Sequence, residues 1–324
     1  ALQQLKAELA SLSGRAVFEH CLGLSKLEDD VQKLARLLEQ QTILVTIDCE
    51  HYTLNSSEMT EIGIAVLKRT DVADTVQQKN FGDHAENLMH QVRYHFLRLR
   101  EKSHLLTSNP RSNGPDGNRF GESRFVSFAK ARQCLNKIMV QPIEGIPALK
   151  GLNHPVIVMG HAIGHDREHL GGKDLDFNMV SLGTVIKFID TQKITTEMGY
   201  WLDPLEDIGL DRLVAKLEFE HTDSHTAAND AARTLMCGIL MVVPKSVRMG
   251  CQRSIEQVAS DAEHYSRNTF VGLGGTREYC CKCGSTDHMH VACTVPKSKL
   301  YCDECFSRGL ANDKTIPGHI TLHC

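Results

Sequence analysis

The sequence has little of what marks membrane, fibrous or strongly charged proteins. Its 324 residues include a single Trp, and the formal net charge is -4, so any nucleic-acid-binding surface must be local. The longest apolar run, residues 235–243, is interrupted by Cys237 and Gly238 and is far shorter than the ~20 residues of a membrane-spanning helix. With 41% hydrophobic residues and no internal repeat, the composition also excludes a wholly disordered or collagen-like chain.

Cysteines are present but unevenly distributed. Of the 12, Cys21, Cys49, Cys134, Cys237 and Cys251 are scattered. The others lie in the last 45 residues: Cys280, Cys281, Cys283, Cys293, Cys302, Cys305 and Cys324. A disulfide-stapled secreted protein would spread its cysteines through the fold. We therefore expect an intracellular protein, cytoplasmic or nuclear, with a metal-binding tail.

The hydrophobic pattern divides the chain into four segments. Leucines at helical spacing predict helices over 1–40, which we interpret as a cap on the main domain, with a partner-binding coil as the alternative. Short apolar runs typical of strands occur at 43–47, 62–66, 156–160 and 185–189. Because helical patterns alternate with them, we expect an α/β domain over 41–245. A polar helical connector over 246–279 and a cysteine-rich tail over 280–324 follow.

Three segments of the α/β domain carry acidic residues in settings that suit metal chemistry. Asp48 and Glu50 end the first strand, where residues i and i+2 project to the same side. Two carboxylates on one side repel unless a cation neutralises them. Asp166 follows a Gly-His strand end, and Asp230 opens a late helix five residues after His225. Each segment alone is typical of an ordinary strand end or helix start, but the set in this order is specific.

In order, setting and spacing, these residues resemble the DEDDh branch of the DnaQ-like 3′–5′ exonucleases. The resemblance covers 41–245 and extends to 60–63 on the second strand and to Asp190 and Thr191 on a later one. It implies an RNase H-like α/β fold: a mixed central sheet flanked by helices, here with N-terminal helices and a small zinc-binding tail. The wording of the motifs and the inserted loop at 113–117 are most similar to a fungal branch.

The resemblance implies phosphodiester hydrolysis with two divalent cations. Oxygen ligands suit Mg2+ or Mn2+, and two such ions stabilise the attacking and leaving oxygens. We expect Asp48 to bridge the ions, Glu50 and Asp230 to complete one site, and Asp166 to support the other. Cys49, between the first two acids, is expected to point away into the core.

His225 is the expected general base, because an unperturbed histidine titrates near about 6.5. His221 and His165 compete for that role, but the spacing to the helix acid favours His225. The second motif departs from the family: Ala162 stands where Asn is usual, and His165 where an aromatic residue precedes the acid. These changes leave the acidic ligand in place and alter how it is held.

Basic residues between the first two motifs form a candidate path for the substrate. A strand is expected over 93–99, with its polar positions either on a solvated face or along a phosphate-tracking path. Residues 107–124, rich in Ser, Asn, Pro and Gly, predict a loop whose Arg residues flank Phe120 and Phe125 and form a lid over the substrate. The expected substrate-binding residues are His51, Tyr52, Arg93, Arg119 and Arg124.

The tail carries one or two predicted structural Zn2+ sites. Cys280, Cys283, His288 and Cys293 have the spacing of a zinc knuckle, with Gly284 directly after the second cysteine. A second site would use Cys302, Cys305, His319 and Cys324, with His323 as an alternative fourth ligand. In an interleaved alternative, Cys280, Cys283, Cys302 and Cys305 share one ion.

Together these features predict a metal-dependent 3′–5′ exonuclease acting on single-stranded nucleic acid. RNA is favoured over DNA because zinc knuckles resemble modules that grip single strands. The alternative is a catalytically quiet exonuclease fold that binds nucleic acid or a protein partner, through residues 1–40 or the zinc tail. No membrane partner is expected.

Overall fold

A six-stranded mixed sheet forms the centre of the fold. The computed structural model describes residues 1–27, 33–105, 113–203, 205–296, 299–309 and 320–323. The strands are β1 (Ile43–Tyr52), β2 (Asn55–Lys68), β3 (Arg93–Leu99), β4 (Ser123–Val126), β5 (Val156–Gly160) and β6 (Val185–Asp190). Their order is β4-β3-β2-β1-β5-β6, with β1 and β3 antiparallel to β2 and the other neighbours parallel. The predicted mixed sheet is confirmed.

Helices cover both faces of this sheet. The first five are α1 (Leu2–Ala10), α2 (Gly14–Leu22), α3 (Lys33–Gln40), α4 (Arg69–Gln77) and α5 (Glu86–Met89). The later ones are α6 (Phe128–Met139), α7 (Ile163–Leu170), α8 (Thr191–Glu197), α9 (Leu210–Lys216), α10 (Ala227–Val242), α11 (Ile255–Asn268) and α12 (Asp303–Ser307). None of the helices that the structure describes has both the length and the apolar character needed to cross a membrane.

Alternate residues of β1 enter two different hydrophobic cores. Val45 and Ile47 pack on the face covered by α6 and α7, whereas Leu44 packs on the face covered by α10. This follows from the two-residue period of a strand. Asp48 and Glu50 share the even positions with Leu44, so both carboxylates project towards the face that carries α10.

The N-terminal helices are part of the main core. Leu5, Phe18 and Leu38, one from each helix, are fully buried in the cluster that also contains Leu235 of α10 and Val258 of α11. Burying a large apolar side chain contributes about 1.5–3 kcal/mol, so these helices are held by packing. The three described helices within residues 1–40 therefore pack against the α/β core.

A buried ionic group joins these helices to the sheet. Glu39 accepts hydrogen bonds from His20 Nδ1 at 2.8 Å and from Arg69 Nη1 at 2.6 Å. Arg69 also donates to the carbonyl oxygen of His20 at 2.6 Å. Burial raises the pKa of Glu39, but the hydrogen bond from His20 and the charge of Arg69 outweigh it and hold that pKa below the ordinary value of 4.5. The group ties α2 and α3 to the start of α4.

Glu39→Gln is expected to destabilise the chain by about 3 kcal/mol or more at pH 7, because it leaves the Arg69 charge buried without its partner. The lowered pKa means that Glu39 contributes stability above pH 4.5 and loses it as the pH falls through its folded-state pKa. Urea unfolding at several pH values should therefore show that the difference in free energy of unfolding between the wild type and Glu39→Gln becomes smaller in acid. Glu19→Gln, in the more exposed Arg15–Glu19 pair, is the control and should change stability by less than about 1 kcal/mol. A Glu39 effect independent of pH would contradict the argument.

The structure corrects two expectations about the basic stretch. Residues 123–124, expected in a loop, belong to β4, which pairs in parallel with β3. Strand β3 itself lies inside the sheet, and only its first residue, Arg93, is exposed: His95 and Arg98 are each 7% exposed, so the solvated-face alternative does not hold for them. Sheet position decides this burial, because a strand flanked on both sides by other strands and packed against neighbouring segments leaves little of its surface to solvent.

Candidate active site

The alternation of side chains along β1 orients the first two acids. Asp48 and Glu50 point towards α10, and Cys49 between them packs with the opposite core, 7% exposed. Asp48 lies opposite Gly63 in the β1–β2 register, and Glu50 lies opposite Glu61. The expected inward orientation of Cys49 is confirmed.

The turn after β5 brings the third acid to the same place. Asp166 Oδ1 accepts a hydrogen bond from the backbone N–H of Cys49 at 2.9 Å. The carboxylate of Asp190, at the end of β6, accepts from the backbone N–H groups of Ala162 and Ile163 at 3.1 and 3.2 Å. Ala162 has a left-handed backbone with φ 63°, and the Asp190 bonds hold that turn. Asp190 thus positions the start of α7 and, through it, Asp166.

The first turn of α10 supplies the fourth acid. Asp230 Oδ2 accepts from the backbone N–H of His225 at 3.2 Å, and its Oδ1 lies 2.8 Å from His221 Nε2. His221 Nδ1 lies 2.8 Å from Asp211 Oδ1, so both nitrogens of this ring are engaged. His225 is half-exposed, with Nδ1 3.8 Å from Glu50 Oε1. The structure therefore brings together all five residues expected in the site.

The four carboxylates are crowded in a buried place. Burial, followed by the charges of Asp230, Asp166 and Glu50, raises the pKa of Asp48 well above its ordinary value. Burial and the neighbouring Asp230 raise the pKa of Glu50 to about 9. Burial raises the pKa of Asp166 to about 7 against the hydrogen bond from Cys49.

This crowding fits divalent cations. Asp48 Oδ2 is buried and has no hydrogen-bond partner among the described residues. Ligand atoms of Glu50, His225 and Asp230 all lie within 4.8 Å of one another. Hard oxygen donors that repel one another in a buried site are the donor set that Mg2+ or Mn2+ neutralises.

Residues 43–241 match the family model described as DNA polymerase III subunit epsilon-like, C-terminal domain (DEDDh_C). The chain belongs to this DEDDh exonuclease family. The match starts with β1 and ends inside α10, so it contains all four acids.

Two solved structures are similar to this DEDDh chain. The first is a structure of exonuclease I that suggests how processivity is achieved. It shares 11% identity over 64% of this chain and 42% of that chain, with a TM-score of 0.39. The zinc-bound form of the E. coli ExoI–ssDNA complex shares 10% identity over 64% and 42%, with a TM-score of 0.38. The alignment spans less than half of each of those chains. A search of curated proteins finds no match.

Glu61 also lies at the site of this DEDDh chain. It belongs to the matching segment 60–63, but the sequence predicted no role for it. It is 1% exposed, and its Oε2 accepts from the backbone N–H of Ala227 at 3.3 Å. Burial, opposed by the charge of Arg98, raises the pKa of Glu61 to about 7. The clue in the sequence is its i−2 spacing from Gly63, which places it on the α10 face of β2.

The expected substrate residues lie in different environments. The His51 ring contacts the His169 ring, tilted by 43° with 3.6 Å between centroids, and Tyr52 ends the same strand. Arg93, at the other end of β3, is opposite Val66 in the β2–β3 register. Two expected residues lie in internal ion pairs: Arg119 with Asp223 and Glu263, and Arg124 with Glu122.

The expected lid over 107–124 lies partly outside the described residues, which resume at residue 113, and its two aromatic residues do not form a cover. Phe120 is fully buried and Phe125 is 2% exposed, so both rings belong to the core rather than to a mobile cover. Phe120 contacts Tyr94 of β3, and Phe125 packs against Tyr279. Local sequence does not reveal this, because an aromatic residue in a polar loop is buried only when another segment covers it.

The first predicted zinc group is assembled in the tail. Ligand atoms of Cys280, Cys283, His288 and Cys293 lie within 4.8 Å of one another. Gly284 has φ +76°, a left-handed conformation that favours glycine, and its N–H donates to the carbonyl of Cys280 at 2.7 Å. His288 Nδ1 hydrogen bonds with Asp287, which leaves Nε2 on the side of the cysteines, 3.5 Å from Cys283 Sγ. Three thiolates and an oriented imidazole fit Zn2+.

The second predicted group is described only in part. Cys302 caps α12, accepting from the backbone N–H of Cys305 at 3.4 Å. His323 Nε2 hydrogen bonds with the Tyr279 hydroxyl at 2.8 Å. His319 and Cys324 lie outside the described residues. The compact first group favours the tandem arrangement over the interleaved one.

Cys283→Ser is expected to remove about one zinc ion per chain, because the tetrahedral site loses a thiolate. Cys281→Ser is the matched control, since Cys281 lies next to this group but is not part of it. Elemental analysis of purified protein measures the zinc content. Equal zinc content in the Cys283 variant and the wild type would contradict the assignment.

Proposed function

We propose that this chain is a metal-dependent 3′–5′ exonuclease that hydrolyses phosphodiester bonds of single-stranded nucleic acid, with RNA favoured. One observation carries the proposal: carboxylates from β1, α7 and α10 converge around a buried, unpartnered oxygen of Asp48. Family membership supports exonuclease activity. Direction, strand type and the RNA preference are parts of the proposal.

The residues have distinct proposed roles. Asp48 would hold both metal ions, with Glu50 and Asp230 completing one site and Asp166 the other. When bound, Mg2+ or Mn2+ ions supply positive charge that stabilises the attacking and leaving oxygens. Asp190 and Glu61 hold no metal in this scheme; they position Asp166 and the start of α10 through backbone hydrogen bonds.

His225 is the proposed general base. Its ring is half-exposed, and with Nδ1 towards Glu50, its Nε2 accepts the proton from the attacking water. His221 is less suited, because Asp211 and Asp230 occupy both of its nitrogens. His221 instead orients Asp230. His165 is exposed at the start of α7, and no described contact directs it towards Asp230.

The tail supports the choice of a single-stranded substrate. The segment just before it lies along the edge strand of the sheet, where Thr276 and Phe125 exchange backbone hydrogen bonds at 2.8 and 3.1 Å. Arg100 donates to Thr276 Oγ1 at 3.0 Å and stacks over Tyr279. In this proposal the zinc knuckle that follows grips the strand, because such modules bind single-stranded RNA. The distribution of the cysteines supports an intracellular location, cytoplasmic or nuclear.

End-labelled RNA and DNA strands of the same sequence test this function. With Mg2+ or Mn2+, a 5′-labelled single-stranded RNA should shorten stepwise from its 3′ end, and faster than the matching DNA. His225→Ala should slow this reaction by about 10²–10⁴-fold, the usual contribution of a general base. Tight binding without cleavage would favour the catalytically quiet module, and shortening from the 5′ end would overturn the proposed direction.

A further inference from the structure

A second cavity lies at the end of the sheet opposite the acids. Its volume is about 740 Å3, and it is lined by the end of β2, the start of β3, the end of α6 and residues 271–273. In the β1–β2 register Lys68 pairs with Ile43, whereas Glu61 pairs with Glu50. At about 3.3 Å per residue, Glu61 in the middle of β2 and Lys68 at its end are about 23 Å apart. The cavity is therefore separate from the carboxylate site.

Three cationic side chains line this cavity. Lys137, on the last turn of α6, is exposed and forms no ion pair with a described residue. Arg93 Nη2 lies 3.8 Å from Asp71 Oδ2, and its side chain is 60% exposed. Lys68 donates to Gln141 Oε1 at 2.9 Å. Two of the three cations, Lys137 and Arg93, thus keep most of their hydrogen-bonding capacity for an anion.

A buried histidine in the wall has one ring nitrogen without a hydrogen-bond partner among the described residues. His95 is 7% exposed, and its buried Nδ1 makes no hydrogen bond with any described residue. Burial, followed by the charges of Arg93 and Lys137, lowers the pKa of His95 to about 4. The ring is therefore neutral at pH 7 and lies in the cavity wall with Arg93 and Lys137. An unpaired buried polar atom costs about 1–3 kcal/mol, so a ligand that pairs with it gains affinity.

The rest of the lining indicates which anion fits. Ile138, Val140 and Leu273 give the cavity apolar walls, and Asp71 and Glu144 are also in its lining. A flat apolar ring suits the walls, and hydroxyl or amino groups suit the two carboxylates as hydrogen-bond donors. The same carboxylates would repel the successive phosphates of a nucleic-acid strand. A small molecule with one phosphate matches the lining better than a polyanion.

We propose that this cavity binds a nucleoside monophosphate. Lys137 and Arg93 hold the phosphate, His95 hydrogen bonds with the ligand, and the nucleoside lies against Ile138 and Leu273. The cavity is within the usual ~300–1,000 Å3 range of ligand pockets. Binding at this cavity does not require hydrolysis at the acids, so it can be tested separately from the proposed function.

Titration calorimetry on the full zinc-loaded chain, without added Mg2+ or Mn2+, tests the site. Under these conditions the clustered carboxylates repel a phosphate, so AMP binding reports on the second cavity. We expect one AMP per chain with a Kd below about 1 mM. Adenosine and inorganic phosphate, which each lack part of the ligand, should bind at least about tenfold more weakly.

Two variants and a control locate the binding. Lys137→Ala should weaken AMP binding about tenfold or more, the effect of losing a hydrogen bond to a charged group. His95→Leu should weaken it about fivefold without lowering the unfolding temperature, because an unpaired buried polar atom is replaced by an apolar group. Lys150→Ala, an exposed lysine outside the cavity, should leave binding unchanged.

Three results would overturn the proposal. The first is no AMP binding at about 1 mM. The second is equal affinity in the wild type and in both cavity variants, which would place the ligand elsewhere. The third is tighter binding of longer oligonucleotides that Lys137→Ala weakens, which would make the cavity part of a nucleic-acid path.

Discussion

Asp48→Asn is expected to slow phosphodiester hydrolysis by about 10³-fold or more and to raise the unfolding temperature of the chain without added Mg2+ or Mn2+. The charges of Asp230, Asp166 and Glu50 all act on Asp48, the carboxylate on which both proposed metal sites depend. The slower hydrolysis follows because the variant loses several kcal/mol of transition-state stabilisation. A carboxyl whose pKa is raised by folding costs stability at pH 7, and an amide, which does not ionise, removes that cost and so raises the unfolding temperature. Initial rates on end-labelled RNA and thermal unfolding measure the two effects.

Asp207→Asn is the matched control for this variant. Asp207 is half-exposed and pairs with Lys193, so its amide should leave the rate unchanged and stability within about 0.5 kcal/mol. Added Mg2+ should stabilise the wild type more than the Asp48 variant, because the cation neutralises the carboxylates. Undiminished Mg2+-dependent cleavage by Asp48→Asn would end the metal-site assignment.

Gly63→Ala is expected to destabilise the chain by about 1–3 kcal/mol and to reduce activity by about 10²-fold. A Cβ at this position would lie 1.9 Å from the carbonyl oxygen of Ala227 and 2.4 Å from the N of Ala228. Both atoms are backbone, so the start of α10 must move away from β2. That movement displaces Asp230 relative to Asp48, which lies opposite Gly63 in the register. Urea unfolding and single-strand cleavage rates measure the two losses.

Gly209→Ala is the control for the steric argument. Gly209 has φ -76°, and nothing lies within 4 Å of a Cβ built there. The control should retain full activity and change stability by less than about 0.5 kcal/mol. If Gly63→Ala behaved like the control, close packing of α10 on β2 would not be what positions Asp230.

The local rules of strands and helix starts predicted most of the carboxylate site. The i, i+2 spacing places Asp48 and Glu50 on one side of β1 and Cys49 on the other, as the structure confirms. The spacing of His225 and Asp230 likewise leaves both at the beginning of α10, linked by a backbone hydrogen bond. Such features depend on neighbours within a few residues, so sequence alone specifies them.

Contacts between residues that are far apart in the chain were not predicted. Arg98 looks like a surface cation in the sequence, yet it is buried, bonded to Asp116 at 3.0 Å and stacked on Phe125. Arg119 forms ion pairs with Asp223 and Glu263, which are over one hundred residues away in the chain. No spacing rule foresees these pairs, because each partner comes from a segment that only folding brings near.

By itself, the sequence predicted the alternation of strands and helices and the first zinc group, since these follow from short-range periodicity and ligand spacing. The resemblance to the DEDDh family indicated the four acids and their histidine as a set. The tertiary structure alone decided which basic residues are available to a ligand. It also made Glu61 and Asp190 positioning residues and left His95 Nδ1 without a hydrogen-bond partner among the described residues. The physical reason is that burial and electrostatic environment depend on which distant segments cover a side chain, and the covering segments meet only in the folded chain.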